Sequence, residues 1–137
     1  MTSISLARSY FLKARKRLWA LETLFEHQAY SDVVREAQEL VELALKGMLR
    51  FVGIEPPKRH DVGRLVLAHR DRLPQGVAAV AERLEQMSRQ LQEERERAFY
   101  GDEDFIPTDE YTHEEAATAL DGARFVVGLL ESFPERE

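Results

Sequence analysis

The chain has 137 residues, a formal net charge of −6 and no cysteine. That is the length of one domain, and it excludes a disulfide framework, a thiol nucleophile and a zinc–thiolate site. The 44% hydrophobic and 32% charged content suits amphipathic helices in water, and no apolar run reaches the ~20 residues that span a bilayer.

The N-terminal stretch MTSISLARSYFLKARKR lacks a signal-peptide core, so a cytoplasmic location is expected. Asn is absent and Arg far outnumbers Lys, which points to a thermophilic source. The net negative charge counts against capture of nucleic acid by the surface as a whole. The charge is uneven, however. Residues 1–72 carry 13 basic and 9 acidic side chains, a balance of +4, whereas residues 73–137 carry 6 and 16, a balance of −10. The halves either neutralise each other within the fold or leave a local basic face.

Apolar residues three and four apart predict a first helix over about 3–27, with Ile4, Ala7, Phe11, Ala14, Leu18, Leu21 and Phe25 as its stripe. Ser9, Lys13, Lys16 and Thr23 fall on the opposite side. A second helix is predicted from Ser31, read as its N-cap, to Val52. Val34, Ala37, Val41, Ala44, Met48 and Phe51 form its stripe; Val33, Leu40, Leu45, Leu49 and Val52 widen it, so this helix should be the most buried. Gly53 can take the left-handed position after the helix, Ile54 can fold back on the last turn, and Pro56-Pro57 forbid continuation.

A short third helix is expected at about 61–72, with Val62, Leu65, Val66 and Ala68 apolar, before a break at Leu73-Pro74-Gln75-Gly76. A fourth helix over 77–98 carries Val77, Val80, Leu84, Met87 and Leu91, then turns polar and projects. Residues 100–111 read as an acidic loop. A capping box, Thr112 and Glu115, opens a fifth helix that runs to about Phe133 before Pro134. No strand-like alternation and no repeat appears. The expected fold is all-α: one domain over 1–137, an antiparallel up-and-down four-helix bundle with an additional short helix.

Motifs for nucleophilic catalysis and phosphate cradling are missing: there is no Gly-x-Ser-x-Gly elbow, P-loop or Gly-x-Gly-x-x-Gly fingerprint. No two of His27, His60, His69 and His113 sit at i and i+4, and the acidic loop around Asp102–Glu110 lacks EF-hand spacing, so neither a metal nor a cofactor is expected. Arg95, Arg97, Phe99, Tyr100 and Asp102 are more suggestive. Two guanidiniums beside two aromatics can grip phosphate and stack a base. The same segment can also be structural, with Phe99 covering the bundle end and Gly101 supplying a turn. Lys46 either pairs with Glu42 one turn earlier or meets an anion in a groove. His60 either helps turn the chain or lines the rim of a cleft.

The run AQELVELALKGMLRFVGIEPPKRHDVGRL, through Ala37, Gln38, Glu42, Lys46, Leu49, Gly53, Pro57, His60, Asp61 and Leu65, resembles the signature of HEPN domains. Later, ERERAFYGDEDFIPTDEYTHEEAATAL is similar to a prokaryotic stand-alone subgroup through Arg95, Phe99, Tyr100, Gly101, Asp102, Tyr111 and Ala116. The resemblance covers nearly the whole chain. It implies a helical bundle, usually a homodimer or higher homo-oligomer, often paired with a small nucleotidyltransferase in a toxin–antitoxin-like system. Active relatives are metal-independent ribonucleases with an Arg-x4–6-His motif; neither Arg95 nor Arg97 is followed by His at that spacing. The expectation is therefore a nucleotide- or RNA-binding protein acting through Arg95, Arg97, Tyr100, Asp102, Lys46 and His60. The alternatives are a ribonuclease with a degenerate motif, in which Arg97 steadies a phosphate and Tyr100 or Asp102 handles protons, or a purely structural assembly module.

Overall fold

The computed structural model describes the backbone of residues 3–56, 62–99 and 111–134, and the side chains of 4–56, 62–94 and 111–134. Among them are six α-helices: α1 (Ser3–Glu26), α2 (Tyr30–Phe51), α3 (Val62–Ala68), α4 (Gln75–Ala78), α5 (Ala81–Phe99) and α6 (His113–Leu129). Short 3-10 turns follow α3 and α6, at Arg70–Arg72 and Leu130–Ser132. The fold is all-α, as the periodicity predicts.

Four long helices alternate in direction. Arg17 in the second half of α1 bonds Glu36 near the start of α2 at 3.0 Å, so these two are antiparallel. Phe25 at the end of α1 stacks on His113 at the start of α6, at 4.9 Å between ring centroids. Phe11 and Phe51 both approach Phe133 to 5.1 Å at the other end. Three phenylalanines thus plug one end of the bundle, and Phe25, Tyr30 and His113 close the other.

The centre is α2, whose buried set includes Val33, Val34, Leu40, Val41, Leu45, Met48 and Leu49. Burying a Leu or Val side chain contributes about 1.5–3 kcal/mol, so this helix draws its stability from packing rather than propensity. Against it lies α6, which presents Ala116, Ala119 and Ala123, all buried. Small side chains on both partners let the two helix axes approach closely. At Gly47 the approach is between α2 and α1. A Cβ there would lie 2.8 Å from Phe11 Cε1, and that ring is held by Phe51 and Phe133 and cannot yield.

Helix ends follow the chain's local chemistry. Ile54 N–H donates to Leu49 O at 2.9 Å and Gly53 N–H to Arg50 O at 3.0 Å, with Gly53 at φ 81°, a Schellman stop. Arg72 adds a cation at this terminus by donating to Val52 O. The same motif ends α1 at a less suitable residue. Gln28 sits at φ 61°, donating to Phe25 O, while Ala29 donates to Leu24 O. The Thr112–Glu115 capping box is formed in both directions.

Four details depart from the sequence expectation. Ser31 is not the N-cap of α2; Ala29 holds that position and Ser31 is buried in the first turn. The Schellman turn that ends α1 passes directly into α2 at Ala29, so Ser31 already stands inside the helix and is not at the cap position. The break at 73–76 is shorter than expected, because Pro74 with its fixed φ caps a one-turn helix, α4, a second short helix. The helix expected from residue 77 accordingly starts at Ala81. The third and last helices each finish in a 3-10 turn, and Ala68 is exposed rather than core.

Three glycine exchanges separate these effects. Gln28→Gly removes a left-handed penalty and should stabilise by about 0.5–1 kcal/mol. Gly128→Ala, where an added Cβ meets nothing within 4 Å, should gain a similar amount from helix propensity alone. Gly47→Ala should lose about 1–2 kcal/mol, because overpacking outweighs propensity. Urea unfolding of the three variants checks both signs.

Candidate functional site

Because α5 packs on α2 and only slightly on α6, a groove of about 500 Å³ remains between α5 and α6. Its floor is Val34 of α2 with Met87 and Leu91, one turn apart on α5, and Ala119 of α6. Its rims carry Gln86, Gln90 and Glu94 on one side and Glu115, Thr118 and Asp121 on the other. Arg83 also lines it, but its guanidinium sits 3.9 Å from the Phe125 ring centroid and its charge is directed there. The groove is apolar below, with amides and carboxylates above, and its own walls do not favour a polyanion along their length.

Tyr111 closes one end of this groove. It is buried, and its hydroxyl donates to Glu94 Oε2 at 2.6 Å. A bond this short to a carboxylate is among the stronger kinds. It fastens the residue before the α6 cap to the last described side chain of α5. The sequence reading paired Tyr111 with the family pattern but gave it no partner. The signal was present in one form only: an aromatic with a polar tip directly before a capping box.

The predicted site residues fare as follows. Arg95 and Arg97 lie on the last turns of α5, immediately beyond Glu94, and their side chains lie outside the described set. Tyr100, Asp102 and His60 lie outside the described residues. The helix that follows His60 is informative. Gly63 of α3 packs against Ser88 of α5, while Arg70 beyond its other end comes within 4.0 Å of Glu82. α3 therefore runs antiparallel to α5, and its N-terminus is directed toward the half of α5 that bears Arg95 and Arg97.

Lys46 is not brought to this place. Its ammonium pairs with Glu42 at 3.6 Å on the edge of α2, and it does not line the groove. Twelve residues separate it from Val34, about 18 Å along the helix.

One Arg-x4-His spacing does occur in the chain, at Arg64 and His69 on α3 and its C-terminal edge, and the sequence reading passed over it. Arg64 is exposed on α3, and His69 lies just beyond its last residue; neither lines the groove between α5 and α6. His113 stacks on Phe25 and Tyr30, at 4.9 and 5.7 Å, beside the α6 cap. No group of three His, Cys, Asp or Glu that could hold a metal occurs among the described residues. None of the described helices is long and apolar enough to cross a membrane.

An up-and-down bundle with a groove beside its fourth long helix, anchored at the outgoing end of α5, is the class these observations define. The chain belongs to the HEPN domain family, whose pattern it matches over residues 7–133. That span runs from the first core residue of α1 to the phenylalanine that plugs the bundle beyond α6. Neither the curated proteins nor the solved structures compared with the chain give a match.

Removing the Tyr111 hydroxyl tests the anchor. Tyr111→Phe should cost about 1–2 kcal/mol in denaturant unfolding, since a partly buried hydrogen bond to a carboxylate is lost. Hydrogen exchange should quicken at residues 92–94 and 111–116 and stay unchanged in α1. Uniform change across the chain would show that the bond holds no particular corner.

Proposed function

We propose that this HEPN-domain protein binds a nucleotide or single-stranded RNA at the outgoing end of α5. Arg95 and Arg97 take phosphate oxygens, Tyr100 offers a ring to a base, and Asp102 accepts a hydrogen bond from a sugar or base edge. His60 adds a polar contact to the ligand. The observation that carries this reading is position: two arginines follow at once on the turn of α5 that Tyr111 secures. The groove beside them has carboxylate and amide rims, which disfavour an anion there and support the arginine-bearing end as its place. Lys46, engaged by Glu42, has no role in it.

Binding is favoured over cleavage. The spacing that active ribonucleases of this family use is absent after Arg95 and Arg97, and its one occurrence, at Arg64 and His69, falls on α3 and its C-terminal edge rather than on the arginine-bearing end of α5. In this reading the protein is a homodimer and acts beside a small nucleotidyltransferase, in a toxin–antitoxin-like pair. The family match supports that association.

Fluorescence anisotropy with a labelled 12-nucleotide RNA, and calorimetry with adenine nucleotides, test the site. An Arg95→Ala, Arg97→Ala, Tyr100→Ala triple variant should lose tenfold or more in affinity, with a shallower salt dependence. Equal binding by wild type and variant would refute the assignment, and no binding by either would leave an assembly module. RNA incubated with wild type, with and without EDTA, should survive as well as with Arg97→Ala; faster loss with wild type would restore the ribonuclease reading.

A further inference from the structure

At the far end of the bundle lies a second cleft, of about 550 Å³, between the first turns of α1 and the chain leaving α6. Arg8, Phe11 and Arg15 form one wall, and Glu131, Phe133 and Pro134 the other. Phe11 and Phe133 are buried in the aromatic plug, so this wall is rigid. The charges are not explained by packing. Arg8 makes one long bond, Nη2 to Pro134 O at 3.5 Å, and its guanidinium carbon stands 6.0 Å from the Phe51 ring centroid. Its Nε is buried and has no hydrogen-bond partner among the described residues.

A guanidinium offers five N–H donors in one plane; Arg8 Nε is closed off from the cleft, whereas its terminal nitrogens make only the one long bond to Pro134 O and are the donors a ligand in the cleft can reach. The group that satisfies such a fork is a planar or tetrahedral oxyanion, which accepts two parallel bonds. Glu131 lies on the same cleft and would be the resident candidate, yet no ion pair joins it to Arg8 or Arg15 among the described residues. Arg15 stands two turns along from Arg8 on the same face of α1 and is exposed. The two cations therefore mark the inner and outer parts of one cleft, with flat apolar surface between them.

We propose that this cleft is a binding site for a small organic oxyanion, a carboxylate or a phosphate monoester with a flat apolar body. The oxyanion accepts from Arg8, the body rests against Phe11 and Phe133, and Arg15 draws the anion in from solvent. This site is separate from the Arg95–Asp102 corner. It sits where α1 begins and α6 ends, whereas α5 leaves beside the start of α2.

Calorimetry with phenyl phosphate, phenylacetate and inorganic phosphate on the full chain tests the proposal. Phenyl phosphate or phenylacetate should bind saturably with Kd near or below about 1 mM, at least fivefold tighter than inorganic phosphate, since the ring adds apolar contact. Whichever of the two aromatic probes binds tighter tells phosphate from carboxylate. Arg8→Gln should weaken binding tenfold or more. Arg15→Gln, at an exposed position that leaves the core intact, should weaken it about threefold. Amide shifts on titration should cluster at residues 7–15 and 130–134, and the Arg95/Arg97/Tyr100 triple variant should bind the probe as wild type does. Saturation absent up to 10 mM, affinity unchanged in both arginine variants, or shifts confined to another face would each overturn it.

Discussion

The packing of α5 and α6 on separate flanks of α2, with little contact between the two, governs the rest of this molecule. Alanines at 116, 119 and 123 face a helix already buried on most of its circumference. Were those positions leucine, α6 would stand farther out and reach α5, and four helices would share one evenly filled core. With alanine, α6 settles onto α2 and leaves α5 on the other flank. The groove between α5 and α6 is the space this asymmetry creates. Its floor includes a side chain of α2 itself, Val34, which an evenly packed bundle would cover.

The charge distribution sorts the surface by what it can bind. Carboxylates on α5 and α6 line the groove, and several surface arginines are answered locally: Arg17 by Glu36 and Glu39, Arg89 by Glu85, Arg124 by Glu22 and Asp121. Exposed pairs of this kind add little stability. Their effect here is to offset part of the positive charge along the sides. The net charge of −6 is thus compatible with an anion-binding corner, because the corner and not the whole surface sets the local potential.

Much of this was legible in the sequence, for identifiable reasons. The four long helices and their core stripes follow from a period that only one secondary structure satisfies, and the Gly53 stop and the Thr112–Glu115 box are local motifs that need no tertiary context. Ser31 misled because capping depends on where the chain enters the helix, which Phe25 and Tyr30 set by packing across the turn. Lys46 was legible in one of its two readings: its i,i+4 partner Glu42 is visible in the sequence, and the pair forms on the edge of α2. The groove could not be read, since it results from a distance between two helices that contact a third. The Tyr111–Glu94 bond spans 17 residues with no periodic signature. Arg8 looked like one more surface cation, and only the aromatic plug beneath it reveals a buried Nε.

Function at the ends is what this architecture permits. The sides of α2 are consumed by packing, and backbone donors and acceptors within helices are already paired. α2 has 22 residues and so spans about 33 Å, and the two ends lie several Debye lengths apart at physiological salt. An anion at the Arg8 cleft therefore shifts the potential at the outgoing end of α5 very little. Any coupling between them would have to pass mechanically, through rods locked at one end by Phe11, Phe51 and Phe133 and at the other by Phe25, Tyr30 and His113. Plugs of that kind resist sliding, and a bundle held at both ends is better suited to presenting two independent sites than to signalling between them.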